Sequence, residues 1–289
     1  MREFLDRHYV VKAFVALALF MVISLGIKFG LKAAGIEFVS NAEYFVREIL
    51  LKVVPIVGVA LVFHVTGSMK RFTVKSFFMS LVSGLAFVIY SVAGVATCLY
   101  LGPDEGEVYK GAVEIIFYIL FVLAIGFSEE LLFRGAIPDI VRGCEIGDVD
   151  APDYKKRNRL AAIVSSFLFG FIHITNLLNG QGVVDTTCQI MYAACIGFVF
   201  YAIYNKQKNL YGVAFIHALV DLFGIWWDAM FVGHSVGDTH ADSDATNILG
   251  NLVLCAILMF IALIIYLPKR KILRKIFKKK DKPAVEQVV

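Results

Sequence analysis

Glu129, Glu130 and Arg134 are charged residues in an apolar run that begins near Ala112. A charge at the centre of a membrane-spanning helix costs about 2.5–3.5 kcal/mol on insertion scales, so such residues usually face the protein interior and mark a site. In a helix, Glu130 and Arg134 share one face, which predicts an ion pair. Glu129 is turned by about 100° from Glu130, and we expect its carboxylate to be free. Taken alone, this stretch is equally compatible with a helix end emerging into water.

Three more ionisable side chains lie inside apolar runs. His173 follows Phe169 by four residues, and Asp221 follows His217 by four, so each pair shares a helical face. With Glu129, these are the residue types that carry acid–base chemistry, and they come from three separate runs. Such a set is expected to surround water, a proton path, an ion or a substrate.

The composition is that of an integral membrane protein. The 289 residues are 59% hydrophobic and 18% charged, with a mean hydropathy of +0.75, whereas soluble domains are nearer half apolar and a quarter charged. Because no linker interrupts it, we predict one all-α transmembrane domain over 1–268, followed by a basic cytoplasmic tail over 269–289. The net charge of +4 comes largely from this tail and does not indicate nucleic-acid binding. The five cysteines form no C-x-x-C pair, so neither a disulfide framework nor a zinc knuckle is expected.

Eight apolar runs approach or reach spanning length, so we predict a polytopic protein with about eight transmembrane helices. The runs cover 13–29, 49–65, 77–101, 112–133, 160–178, 187–204, 210–232 and 248–267. Basic residues concentrate in alternate connections and in the tail, which predicts a multi-pass protein with both termini in the cytoplasm. The first outer connection, with Lys28, Lys32 and Arg47, is the exception. The basic tail is expected to contact anionic membrane lipid.

These residues resemble a known family. Three motifs occur in the order found in the CPBP family (CAAX protease and bacteriocin-processing proteins, also called Abi): Glu129-Glu130-x-x-x-Arg134, Phe169-x-x-x-His173 and His217-x-x-x-Asp221. The resemblance covers a core from about Ala112 to Gly233. It implies an eight-helix intramembrane endopeptidase fold, like that of type II CAAX prenyl proteases, with the site open to the cytosolic half of the membrane. We expect the protein in the plasma membrane of a bacterium.

The resemblance also implies roles for the first two motifs. Glu129 matches the catalytic glutamate that activates a water molecule. Glu130 and Arg134 match the supporting pair, in agreement with their spacing. His173 matches a residue that helps to position the water, and Phe169 belongs to the same motif as a supporting residue.

His217 and Asp221 match the pair thought to stabilise the oxyanion. The last motif of the family often ends in Asn, whereas here it ends in Asp221. An asparagine amide can donate a hydrogen bond to an oxyanion, but an ionised carboxylate cannot. We therefore expect Asp221 to orient His217 and to favour its imidazolium form, which can donate instead.

Helix geometry raises a question of depth. Counted from the cytoplasmic ends, His217 is shallow, Glu129 lies near the end of its span, and His173 is about 20 Å from Arg159. The three side chains can meet if the fifth span is tilted, or if it begins in the cytosol as a helical extension through Lys155–Arg159, and we predict the extension.

Metal use is a second question. The family resemblance points to a glutamate mechanism with no required cofactor, so we expect no metal. Zinc held by Glu129, His173 and His217 is the alternative, with an open position for the water. No His-Glu-x-x-His spacing supports it.

Three functions are compatible with the sequence. The leading one is an intramembrane endopeptidase that hydrolyses a membrane-associated peptide or protein substrate, prenylated or of bacteriocin type. A second is a non-catalytic peptide-binding or bacteriocin immunity protein of the same fold. A third is a transporter with a proton relay, but the sequence shows no inverted repeat. The sequence does not indicate the oligomeric state.

Overall fold

The computed structural model describes residues 8–36, 41–63, 71–104, 106–144, 146–151, 153–234 and 245–266. The predicted tail over 269–289 lies outside these residues. Within the described ranges the chain is helical, without strands apart from one isolated bridge between Tyr109 and Phe231. The predicted all-α class is therefore confirmed.

The α-helices follow one another along the chain with two irregular helical segments between them. The segments are a π-helical turn, Leu131–Ala136, and a 3₁₀ segment, Ile172–Asn179. The α-helices are α1 (Tyr9–Ala33), α2 (Asn41–Phe63), α3 (Val74–Ser83), α4 (Leu85–Asp104), α5 (Ala112–Glu130), α6 (Ile137–Arg142), α7 (Tyr154–Phe171), α8 (Val183–Gln207), α9 (Leu210–Gly224), α10 (Trp226–Met230) and α11 (Ala245–Tyr266).

Among the residues that the structure describes, six helical stretches are long and apolar enough to cross a membrane, so the predicted count of eight is not confirmed. The six are Tyr9–Ala33, Leu85–Gly102, Ala112–Arg142, Tyr154–Leu178, Val183–Gln207 and Ile248–Tyr266. The predicted second span falls on α2, whose charged residues are Glu43, Arg47, Glu48 and Lys52. The third is divided at Gly84 into α3 and α4. The seventh is shortened to the 15 residues of α9.

The helices that carry the three motifs pack around α5 and α8. Helix α5 contacts α2 and α9, while α8 contacts α7 and α11. Buried apolar side chains form three clusters, one of which joins α1, α2, α6, α7 and the π-helical turn. The motif helices are thus held from several sides.

Two glycines allow the motif helices to approach closely. A Cβ atom at Gly126 on α5 would lie 2.5 Å from the Ala214 carbonyl oxygen on α9, and one at Gly170 on α7 would lie 2.5 Å from the Ile190 carbonyl oxygen on α8. Small residues permit such backbone contact between membrane helices. Gly126 lies one turn before Glu129 and Glu130, so it brings them to the face of α9 that carries His217.

The bundle has two ends, which we call the basic end and the opposite end. At the basic end, Arg157 donates to the Arg142 carbonyl, its guanidinium lies over the Tyr9 ring, and Asn209 donates to the Thr73 carbonyl. At the opposite end, the connection after α4 meets the connection after α10, where the Val232 amide donates to the Val108 carbonyl. The helices therefore run alternately between these two ends.

Candidate active site

Glu129 and Glu130 are the last residues of α5, immediately before the π-helical turn. The helical path continues through this turn and α6 to Arg142, so Glu129 lies about 20 Å from that end. The helix that carries Glu129 thus continues beyond the predicted end of the span near Phe133. Helix α7 begins at Tyr154, which confirms the predicted helical extension through Lys155–Arg159. Both helices therefore extend further towards the basic residues than their apolar runs do.

The π-helical turn places an irregular backbone next to the two glutamates. Pro138 follows this turn and has no backbone N–H, so it cannot complete the helical hydrogen-bond pattern. Single π-helical turns inside α-helices occur frequently at functional sites. The apolar pattern predicts a regular helix here, so the π-helical turn was not predicted.

Glu130 joins the first and third motifs. Its Oε2 lies 3.0 Å from Arg134 Nε, and both side chains are fully buried. The predicted ion pair is present. Its Oε1 lies 2.9 Å from His217 Nδ1, so one carboxylate binds a cation on its own helix and a histidine on α9.

Arg134 is further surrounded by aromatic rings. Its guanidinium lies 4.4 Å from the centre of the Phe169 ring and 5.4 Å from that of Phe200, at distances where cation–π attraction acts. The Phe169 ring meets His173 and His217 edge to face, at centroid distances of 5.6 and 5.5 Å. Phe169 therefore packs against both histidines and against the buried guanidinium.

Glu129 is not free, contrary to the prediction. Lys52 Nζ on α2 donates to Glu129 Oε1 at 2.6 Å. Sequence reasoning missed Lys52 as part of the site, although a lone lysine inside an apolar run was an available signal. The other carboxylate oxygen, Oε2, lies 4.0 Å from His217 Nε2. Glu129 therefore has one oxygen held by a cation and the other directed towards a histidine.

The two nitrogens of His217 have different surroundings. Nδ1 faces Glu130 and, because a carboxylate only accepts, the nitrogen donates. Nε2 faces Glu129 and lies 3.5 Å from Asp221 Oδ2. Asp221 Oδ2 is buried and accepts no hydrogen bond from any described residue. Glu130 thus provides the orienting hydrogen bond that the sequence analysis assigned to Asp221.

His173 has a defined tautomer. Its Nδ1 lies 3.0 Å from the Phe169 carbonyl oxygen, which can only accept, so Nδ1 carries the proton. In the neutral ring, Nε2 is then an acceptor. The 3₁₀ segment that begins at Ile172 carries this histidine beyond the last turn of α7.

These side chains line one cavity of about 510 Å³, in which Glu129, His173, His217 and Asp221 meet Lys52. The wall of this cavity is otherwise largely apolar. The structure therefore brings together the four residues predicted as catalytic, with the additional lysine. Within the described residues, no group of three or more His, Cys, Asp or Glu side chains is arranged to hold a metal ion.

The fold and the site together are those of a multi-pass helical membrane protein with acid–base side chains around one cavity inside the bundle. The sequence model of the type II CAAX prenyl endopeptidase Rce1-like family matches residues 111–223, less than half of the chain. This segment contains all three motifs, and the match confirms the resemblance to the CPBP family. It implies a membrane protease. A search of the curated proteins found no match to this chain.

Proposed function

We propose that this protein is an intramembrane endopeptidase in which Glu129 activates a water molecule. The proposal rests on one observation: Glu129 Oε2 lies 4.0 Å from His217 Nε2 at the wall of the cavity. A water molecule between these groups can give a proton to the Glu129 carboxylate. His217 then faces the carbonyl oxygen of the substrate, which becomes negative. General bases and preorganised donors are the two groups that peptide hydrolysis needs.

The reaction consumes one water for each peptide bond. The water oxygen attacks the carbonyl carbon, its proton passes to Glu129, and the carbonyl oxygen becomes an oxyanion. Glu129 then returns this proton to the leaving nitrogen as the C–N bond breaks, giving a carboxylic acid and an amine. His173 Nε2 is placed as an acceptor for the second proton of the water, which it orients without removing.

His217 is proposed as the oxyanion donor. Since Nδ1 donates to Glu130, only the doubly protonated ring can donate from Nε2 as well. The buried Glu130–Arg134 pair holds this ring in place. Asp221 lies beside Nε2, so we expect it to stabilise the positive charge of the ring and not to contact the oxyanion directly.

Lys52 is proposed as a positioning residue for the base. A cation that donates to one carboxylate oxygen favours the ionised form, which is the form that accepts a proton. The bond from Lys52 to Oε1 also directs Oε2 towards His217. The lysine is therefore expected to act through Glu129 and not on the substrate.

The glutamate mechanism needs no metal, and zinc remains the alternative. The ammonium group of Lys52 contacts Glu129 Oε1. It disfavours a metal ion bound to the same oxygen, because the two positive charges would repel each other. Removal of metal by a chelator is expected to leave peptidase activity intact. Reversible loss of activity in the chelator, restored by zinc alone, would establish the alternative.

The proposed substrate is a membrane-associated peptide or protein. Among the described residues, no contact of the site favours a non-catalytic peptide-binding role, since such a role needs no base beside an oxyanion donor. The test is a comparison of membrane proteomes from cells that contain the parent chain or Glu129→Gln. New peptide termini present only with the parent would identify the substrate. Identical termini in both would contradict the proposal.

A further inference from the structure

A strip of neutral polar side chains crosses one wall of the cavity. Asn176 on the 3₁₀ segment donates from Nδ2 to Gln189 Oε1 on α8 at 2.8 Å. Tyr192, one turn further along α8, lies near the Gln189 side chain and in the electrostatic field of Asp221. All four side chains line the cavity that contains Glu129. The strip therefore reaches from Asp221 into a wall that is otherwise largely apolar.

The Asn176 side chain has hydrogen-bonding capacity that the protein does not use. A primary amide has two N–H donors and one oxygen acceptor. One N–H binds Gln189, and among the described residues no donor binds Asn176 Oδ1. One donor and one acceptor therefore remain for a ligand in the cavity, while the hydrogen bond to Gln189 restricts the rotation of this amide.

A peptide main chain is the ligand that these two groups fit. Each peptide unit carries one N–H and one C=O, and it loses its hydrogen bonds to water when it enters an apolar cavity. The Asn176 amide can replace one hydrogen bond of each kind. Because this amide is neutral, it favours the main chain over a charged side chain, which would gain more from Lys52 or Asp221 in the same cavity.

The geometry of the 3₁₀ segment sets the distance between Asn176 and the reacting centre. Three residues make one 3₁₀ turn and rise about 6 Å, so side chains three positions apart lie above one another. His173 and Asn176 are three positions apart in this segment, and both line the cavity. Two residues of an extended chain span about 6.6 Å. If the substrate runs along the segment and is attacked near His173, the peptide unit about two residues away therefore lies beside Asn176.

We propose that Asn176 binds the main chain of the polypeptide substrate about two residues from the cleaved bond, and that Gln189 positions the Asn176 amide. The proposal rests on the proposed peptidase function of Glu129 and adds a substrate-binding contact to it. The substrate is an extended segment, and its residue beside Asn176 is recognised through the main chain and not through the side chain.

Binding to a chain that cannot hydrolyse tests this contact without cleavage. Purified Glu129→Gln in lipid vesicles is mixed with short fluorescent peptides of varied sequence, and the dissociation constant is measured for a peptide that binds. The additional change Asn176→Leu should weaken binding about fivefold, as expected for the loss of a hydrogen bond. The matched control is Thr175→Val, which lines the same cavity but whose hydroxyl donates to the Ile172 carbonyl. It should stay within about twofold. Equal binding to all three chains, or no binding by any peptide, would overturn the proposal.

An ester bond in the peptide distinguishes a direct contact from a structural role of Asn176. An ester in place of one amide removes the main-chain N–H and leaves the protein unchanged. At one bond of the peptide, the ester should weaken binding to Glu129→Gln about fivefold, but binding to the chain that also carries Asn176→Leu less than about twofold, because the contact is already lost. Gln189→Met should give an intermediate loss with the same sensitive bond. Ester effects that are equal in all chains at every bond would contradict the contact.

The position of the cleaved bond tests the register and the peptidase function separately. The parent should cleave the peptide about two residues from the bond at which the ester effect depends on Asn176. Cleavage about four or more residues from that bond would contradict the proposed register. An Asn176-dependent ester effect in peptides of which the parent cleaves none would support the contact and refute the peptidase function alone.

Discussion

Lys52 Nζ on α2 and Glu129 Oε1 on α5 lie 2.6 Å apart. The Lys52 side chain is 27% exposed and that of Glu129 8%, so the pair lies at the boundary between the protein interior and the cavity. The remaining charged or titratable groups that face Glu129 are His173 on the 3₁₀ segment and His217 and Asp221 on α9, with Glu130 and Arg134 beside it along the chain. Lys52 donates a hydrogen bond to the Glu129 carboxylate, while His217 Nε2 lies 4.0 Å from its other oxygen.

Lys52→Met should slow cleavage about tenfold or more with little change in KM, because the base loses the cation that orients and ionises it. The acid limb of the pH–activity profile should move to higher pH, since a carboxylate without its cation is protonated more easily. Lys52→Arg should return the acid limb of the profile at least partly to its position in the parent. A profile for Lys52→Met that coincides with the parent's would show that the lysine has only a packing role.

His217→Ala should lower kcat about 10²–10³-fold, which is the usual effect of removing an oxyanion donor. Asp221→Asn should stay within about tenfold of the parent, because the amide can itself donate a hydrogen bond at this position. The measurement is kcat for both variants on the same peptide. A larger loss for Asp221→Asn than for His217→Ala would contradict the assigned roles.

Gly126→Ala should destabilise the protein by about 1–3 kcal/mol, the usual range for an overpacked interior. The added methyl would lie 2.5 Å from the Ala214 carbonyl oxygen, so α5 and α9 would have to separate. The matched control is Gly26→Ala on α1, where a Cβ meets nothing within 4 Å. Thermal unfolding in detergent measures both. Equal midpoints for the two variants would contradict the close approach.

Lys208, in the connection between α8 and α9, provides a pH-dependent prediction. Burial and the neighbouring Arg142 and Arg71 lower the pKa of this lysine to about 8. The unfolded chain therefore binds more protons than the folded chain above about pH 8, and this group makes stability rise as pH increases from 8 towards its ordinary pKa. Lys208→Met should raise the unfolding midpoint at pH 7 and remove part of that rise. The exposed Lys206, changed in the same way, serves as the control, and equal profiles for the two variants would contradict the prediction.

Local spacing in the sequence predicted the contacts that lie within one helix. Glu130 and Arg134 pair because four residues form about one helical turn, and the polar run from Lys155 to Arg159 continues α7 beyond its apolar part. These features depend on the backbone period alone, so a single sequence is sufficient to predict them.

Contacts between helices were predicted less well. Lys52 and Glu129 are 77 positions apart and Glu130 and His217 are 87 apart, so their meeting depends on how α2, α5 and α9 pack. The motifs indicated which helices converge, but not which carboxylate each cation or histidine contacts. The π-helical turn was also missed, because apolar periodicity does not distinguish it from regular helix.

In the proposed mechanism, the carboxylate of Glu129 removes a proton from the attacking water. The most direct test is the cleavage rate of purified Glu129→Gln in lipid vesicles, on a peptide whose cleavage by the parent is established. Glutamine keeps the shape of the side chain but cannot accept the proton, so we expect a loss of about 10²–10⁴-fold or more with an unfolding midpoint close to the parent's. A folded Glu129→Gln protein that cleaves the peptide as fast as the parent would contradict the mechanism.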